Sequence, residues 1–443
     1  MKRILTHLMK EPGKLNSIYA LIGNLTYAIL GFIGIAILAR SLDLNTYGKW
    51  IIYLTASSLL EMMRQGFIHT ALVRYTSDKN SLLKNQYIAG GWIIGIIFTL
   101  ISTLIICGLN LIITYKGIET SYDYFLKYYP LLSIASLPFI ISQSILQASS
   151  KFLTILALKT LNMIMAISVY FLSYKYTFSL DLLVLLHIIV NLITSLLTII
   201  FNISSISKIK YFERKRFLEL IHFGKYSFGT LIGTNLLKSS DTFLIGLMAG
   251  SPQAALYSIP LKLTETFEIL LRSIVSVAMP KLSYFSVNNE NNKVKEMFQN
   301  LSGTLTFIYL PIMICCFFLS DYLILLLGGK TFLNSSEIFK IFCVYGLILP
   351  LDRFTGITLD CINKPKYNFY KVSIMILVNV TLDLIVLYFN LPLKYVALVT
   401  FLTTLTGCYI GIKYLNKTFK TSIKEIFISG MQYSKRLRYK PIP

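Results

Sequence analysis

Tyr257-Ser-Ile-Pro-Leu-Lys-Leu-Thr-Glu-Thr-Phe-Glu-Ile-Leu-Leu-Arg272 lies inside a long apolar run, yet it carries Lys262, Glu265, Glu268 and Arg272. A helical period of 3.6 residues gathers these four charges within roughly 120° of one face. A charge near the middle of a bilayer costs at least about 2.5–3.5 kcal/mol on insertion scales. Four on one face therefore need a reason. Either they pair with neighbouring helices, or they line a wet cavity that handles a charged ligand.

The rest of the chain fixes which solvent that helix meets. Of 443 residues, 55% are hydrophobic and 14% charged, against about 25% charged in a soluble domain. The apolar runs predict an all-α integral membrane protein of about twelve spans, each near the ~20 residues that cross the hydrocarbon layer. They fall at 15–39, 46–72, 87–114, 125–147, 152–174, 181–203, 224–248, 255–281, 297–319, 336–362, 367–389 and 394–414. The first run is too long for a signal-peptide core and lacks an A-x-A site, so it is expected to remain as span 1.

A formal charge of +22 suggests a nucleic-acid partner, but its distribution points to a membrane. Lys2, Arg3, Lys10 and Lys14, the stretch Lys208 to Lys225 and the tail Lys413 to Lys440 all fall on one side of the predicted layer. That asymmetry predicts cytoplasmic N- and C-termini, with the basic loops at anionic lipid headgroups and no nucleic acid bound. The six cysteines lie in or beside apolar spans, and the four histidines are scattered. Neither set has disulfide-framework or metal-ligand spacing, so the cysteines read as small packing residues and no cofactor is expected.

The chain also reads as two halves. A shift of 210 residues sets Leu21-Ile-Gly on Leu231-Ile-Gly, Ala39 on Ala249, Ser41 on Ser251 and Tyr47 on Tyr257. Spans 1 and 2 thereby align with spans 7 and 8, and six spans per half make the pseudo-repeat parallel. The expected layout is a basic N-terminus (1–14), a six-helix bundle (15–203), a cytoplasmic linker (204–224), a second bundle (225–415) and a basic tail (416–443) that lies on the membrane or is disordered.

The repeat has a chemical echo. Span 2 holds Glu61-Met-Met-Arg64, where i, i+3 spacing permits a local ion pair, and span 8 holds Glu268 and Arg272. The two arginines follow Tyr47 and Tyr257 by 17 and 15 residues, a depth difference of only about 3 Å. Lys238 and Asp241 in span 7 reach a depth similar to Lys262 and Glu265, which predicts an Asp241–Lys262 pair. In span 10, Pro350 stands beside Asp352 and Arg353. A proline-opened helix next to a carboxylate suggests a cation or proton site, and a local Asp352–Arg353 arrangement is the competing expectation. Lys159, seven residues into span 5, is expected to snorkel inward. Trp50 is placed at the outer interface, and Asp360 is expected to pair with Lys364 or Lys366.

The opening Ile22-Gly-Asn, followed by Leu38-Ala-Arg-Ser-Leu-Asp43 and Tyr47-Gly48, together with twelve spans in halves of six, resembles the Wzx-type polysaccharide flippases. These belong to the multidrug/oligosaccharidyl-lipid/polysaccharide exporter superfamily. The resemblance implies a V-shaped pair of bundles with spans 1, 2, 7 and 8 around a cationic cavity. It also implies movement of undecaprenyl-pyrophosphate-linked sugar units from inner to outer leaflet of a bacterial cytoplasmic membrane, for O-antigen or capsule biosynthesis. On the residues here, Arg64, Arg272, Lys262 and Lys238 are the expected substrate contacts. Asp241, Glu265, Glu268, Glu61 and Asp352 are the expected coupling or ion-pair groups. Expected partners are the lipid-linked oligosaccharide, membrane lipids and polysaccharide polymerase machinery.

Two other classes compete. A cation-coupled exporter of small drugs, from a sister family, would rest on Asp241 and Asp352. A membrane-bound polymerase or ligase is disfavoured because such enzymes need a sizeable outer loop bearing Arg or His, whereas every outer loop here is short.

Overall fold

The computed structural model describes residues 26, 29–76 and 81–439, so segment 1–14 and most of span 1 lie outside the described residues. No strand occurs among the described residues. The helices are α1 (Ile29–Ser41), α2 (Leu44–Thr76), α3 (Ser81–Tyr115), α4 (Asp123–Ala148), α5 (Phe152–Tyr176), α6 (Leu180–Ile200), α7 (Arg214–Met248) and α8 (Ser251–Val287). Beyond them run α9 (Asn291–Phe318), the short α10 (Ser320–Gly328), α11 (Ser336–Cys361), α12 (Pro365–Tyr388), α13 (Lys394–Leu415) and α14 (Ile423–Tyr439). Eight of these are long and apolar enough to cross a membrane. The apolar faces are openly displayed: Leu104 and Leu111 of α3 are each 71% exposed, tolerable in lipid and costly in water. The chain is an all-α, multi-pass membrane protein.

Helix ends follow local chemistry. Asn202, Asn289, Asn363 and Asn390 turn the chain in the left-handed region at φ of 50–58°, which asparagine tolerates better than most residues. Proline removes one backbone donor without having to end a helix. Pro130, Pro138, Pro260, Pro280, Pro311 and Pro350 all sit inside continuous helices.

The described residues up to Asn235, with Gly250–Ala255, form one compact unit. Its central helix is α4, which packs on α2, α3 and α6. Buried Ser133, Ser136, Ser142 and Ser144 give it a slim flank. Three of these hydroxyls donate to the carbonyl four residues back, at 2.8, 2.7 and 3.3 Å for Ser136, Ser142 and Ser144. Small, self-satisfied side chains let neighbouring helices approach closely. Trp50, near the start of α2, is 1% exposed and packs on the rings of Tyr53, Tyr170 and His187, so it ties the helices of this bundle together.

The Leu38–Gly48 motif acquires a mechanical meaning in this unit. Asp43 accepts the amide N–H of Asn45 and of Thr46, both at 3.1 Å, and starts α2. The Thr46 hydroxyl, its amide and that of Asn45 hold the Asp43 carboxyl below the usual carboxylate range. Asn45 accepts a hydrogen bond from the Ser251 hydroxyl, and a Cβ at position 48 would run into the Ser251 carbonyl. Only glycine permits that crossing.

Residues Leu236–Ala249 and Leu256 onward form a second unit. Here α11 is central, packed on α9, α12 and α13. Gly346 receives Met313, and Gly411 lies against Thr355. The junction predicted as a linker contains the 3-10 turn Ile206–Tyr211 and the first turns of α7. Glu219 there accepts from the Tyr87 hydroxyl at 2.5 Å and from Arg216 at 2.9 Å. These contacts, the Tyr87 hydroxyl foremost, hold its carboxyl below the ordinary value.

Candidate functional site

The charged face of α8 resolves into two groups. One turn of helix brings Lys262 to Glu265 at 2.7 Å, a self-contained i, i+3 pair with side chains 30% and 45% exposed. Deeper along α8, Glu268 is nearly buried and gathers three cations on a single oxygen. Lys238 of α7 donates to Oε2 at 2.6 Å, Arg272 one turn on at 3.2 Å, and Arg353 of α11 at 3.3 Å. The Tyr309 hydroxyl fixes α8 at this level by donating to the Phe267 carbonyl at 2.5 Å.

Three cations on one carboxylate leave an excess of positive charge. The cations are also the accessible part: side-chain exposure is 40% for Lys238, 56% for Arg272 and 32% for Arg353, against 11% for Glu268. Glu268 therefore acts as a hub that aims the three side chains. Each guanidinium has five N–H donors and Lys three, most of them unused by the hub. Such an array suits a polyanion, because Arg binds phosphate oxygens with paired donors and stays charged in any environment.

Arg64, the counterpart in the first unit, is arranged in the opposite way. It is 0% exposed. Its guanidinium donates to Thr99 at 2.8 Å, to the Ser133 carbonyl at 2.6 Å and to Ser136 at 2.7 Å, and pairs with Glu61. Those contacts join α2, α3 and α4.

A third cluster lies inside the second unit. Asp241 accepts from the Tyr257 hydroxyl at 2.5 Å and from Thr400 at 2.8 Å. Asp383 of α12 is fully buried, faces Asp241 and has no donor among the described residues. Ser240 donates to Asn379 at 2.8 Å beside them. Two like-charged carboxyls buried near each other are costly unless a countercharge lies beside them. The expected Asp241–Lys262 pair is thus not formed, because each residue has a nearer partner. Nor do Asp352 and Arg353 pair. Asp352 holds the buried Lys371 of α12 at 2.6 Å, while Arg353 turns to Glu268. Asp360 accepts from Asn368 at 2.9 Å rather than from a lysine. Lys159 of α5 is half-buried.

Arg353, Lys371, Asn379, Asp383 and Thr400 are the residues the sequence did not assign to a site. One signal was available for Arg353. Consecutive helical residues point about 100° apart, so Asp352 and Arg353 cannot face each other.

A family model described as polysaccharide biosynthesis protein matches residues 37–337. No curated protein matches the chain by sequence. Among solved structures, the lipid II flippase MurJ in its inward closed conformation superposes with a TM-score of 0.73 at 19% identity, over 95% of this chain and 92% of that one. An inward-facing MATE-family multidrug resistance transporter of the MOP superfamily gives 0.73 at 11% identity, over 89% and 96%. A MOP-superfamily transporter from Pyrococcus furiosus, whose binding pocket is described as reversed in polarity, gives 0.60 at 11% identity, over 93% and 97%. At these identities the likeness establishes the fold.

Proposed function

We propose, from the premise that the chain belongs to the polysaccharide biosynthesis protein family, that it is a flippase for undecaprenyl-pyrophosphate-linked oligosaccharide. It would carry these units from the inner to the outer leaflet of a bacterial cytoplasmic membrane by alternating access, supplying surface polysaccharide synthesis. The observation that carries this reading is the Glu268 hub with Lys238, Arg272 and Arg353. A pyrophosphate crossing hydrocarbon must keep its charge covered, and an accessible cationic cluster built on three helices is suited to do so. In this reading Arg272, Arg353 and Lys238 bind the pyrophosphate, Arg64 and Glu61 hold the first unit together, and Lys262 with Glu265 forms a flanking pair.

The Asp241–Asp383 carboxyls, with oxygens of Asn379 and Thr400 beside them, are the proposed coupling site for a proton or monovalent cation. The Asp352–Lys371 pair has its own counter-charge and is assigned to structure. A cation-coupled drug exporter is the second reading, and the same carboxyl pair supports it. The cationic hub favours an anionic cargo over the cationic drugs such a carrier would take.

The decisive experiment is deletion of the gene followed by analysis of lipid-linked intermediates. Accumulation of oligosaccharide-pyrophosphoryl lipid at the cytoplasmic leaflet is expected, and complementation by Arg272→Ala is expected to fail. Normal glycans with altered drug tolerance would instead establish the exporter.

A further inference from the structure

We infer that α14 is an in-plane helix, fixed to the membrane-entry end of α9, that seats an apolar stripe in the acyl edge of an anionic leaflet with lysines at its headgroups. The docking is specific. Gly303 and Gly430 bring the two backbones so close that a Cβ on either would collide with the other helix. Thr304 donates to the Gly430 carbonyl at 3.1 Å, and Gln299 donates to Thr421 at 2.8 Å and to Glu425 at 2.9 Å. Lys295 adds an ion pair to Glu425 at 3.1 Å, and Ile426 is buried at the crossing.

The level of that crossing follows from the sequence of α9. Its 28 residues span about 42 Å, longer than the ~30 Å hydrocarbon layer. The surplus is at its start, where Asn291-Asn-Lys-Val-Lys-Glu-Met-Phe-Gln299 is mostly polar. Gly303 thus stands where α9 enters the apolar layer, and α14 crosses at that edge.

Surface chemistry supplies the rest. Ile423, Phe427 and Met431 recur at i, i+4 and i+8 and remain exposed, with Ile428 beside them. Lys424 and Lys435 are exposed beside the Ile423–Phe427–Met431 stripe, about 20° and 40° beyond Met431 and short of Ile428 at 100° per residue. From Lys417 onward the only acid is Glu425, against Lys417, Lys420, Lys424, Lys435, Arg436, Arg438 and Lys440. Glu425 is already held by Lys295 and Gln299. An apolar stripe edged by uncompensated lysines is the pattern of a helix lying in an anionic interface. Charge complementarity therefore selects anionic lipid as its occupant.

The test uses the full chain in proteoliposomes with Met431→Trp. The two native tryptophans, Trp50 and Trp92, are buried at 1% and 2% exposure, giving a quiet background and a check on folding. Emission from position 431 is expected to be quenched by lipids brominated in the acyl chain. Quenching should rise about twofold or more when phosphatidylglycerol is added, and Lys424→Gln with Lys435→Gln should remove that rise. Efficient quenching by aqueous acrylamide with none by brominated lipid would overturn the inference and point to a protein partner. Lipid quenching indifferent to anionic lipid, or to both lysine substitutions, would overturn the headgroup assignment.

Discussion

Glutamate pairs with arginine along α2 in the first unit and along α8 in the second, and the two pairs end in opposite surroundings. In the first, Arg64 is sealed among Glu61, Thr99, Ser133 and Ser136 with no exposed surface. In the second, Arg272 shares Glu268 with two further cations and stays 56% exposed. One carboxylate against one arginine closes a bundle. One carboxylate against three cations leaves positive charge exposed. The same Glu–Arg pairing thus leads to different surroundings, because the third and fourth partners decide them.

The strongest way to break the comparison is Arg64→Ala. Removing one member of a buried pair leaves Glu61 uncompensated and typically costs about 3–5 kcal/mol. The expected outcome is loss of folded protein, read as a lower unfolding temperature in detergent, with partial recovery in Arg64→Met combined with Glu61→Gln. A stable Arg64→Ala protein that no longer exports would move Arg64 into the binding site.

Next come Arg272→Ala and Arg353→Ala, which are expected to fold normally. Each removes charge-assisted hydrogen bonds worth about 1.5–3 kcal/mol, so binding of the pyrophosphoryl lipid should weaken roughly ten- to a hundredfold in each variant. Arg272→Lys should recover part of it, because the charge returns without the planar fork. Wild-type affinity in Arg353→Ala would remove α11 from the site. Asp383→Asn sharpens the division of labour. Transport in vesicles is expected to lose its response to an imposed proton or sodium gradient, while equilibrium binding of the lipid stays within a few-fold.

The smallest effect is expected at the other end of the charged face. Lys262→Gln or Glu265→Gln breaks an exposed pair of a kind worth about 0.2–1 kcal/mol. Unfolding temperature and export should both stay near wild type. A large export defect there would shift the binding site towards the start of α8.

Local spacing made part of the site legible. Glu61 with Arg64 is an i, i+3 pair, and Glu268 with Arg272 an i, i+4 pair, so the ladder of one helix predicts both. By the same rule Lys262 belongs with Glu265, and the expected interhelical pair with Asp241 overlooked that nearer partner. Arg353 reaches a residue 85 positions away and Lys371 one 19 positions away. No periodicity within a helix carries that information.

By itself the sequence determined that this chain is a helical membrane protein in which charge is rare and therefore placed for a reason. Apolar run lengths and the 3.6 period are local properties, and hydrocarbon forces every backbone polar group into helices. Which charges meet between helices, and which remain available, was decided by tertiary structure alone. Electrostatic pairing falls off over a few ångströms, and only packing brings α7, α8 and α11 within that range at Glu268.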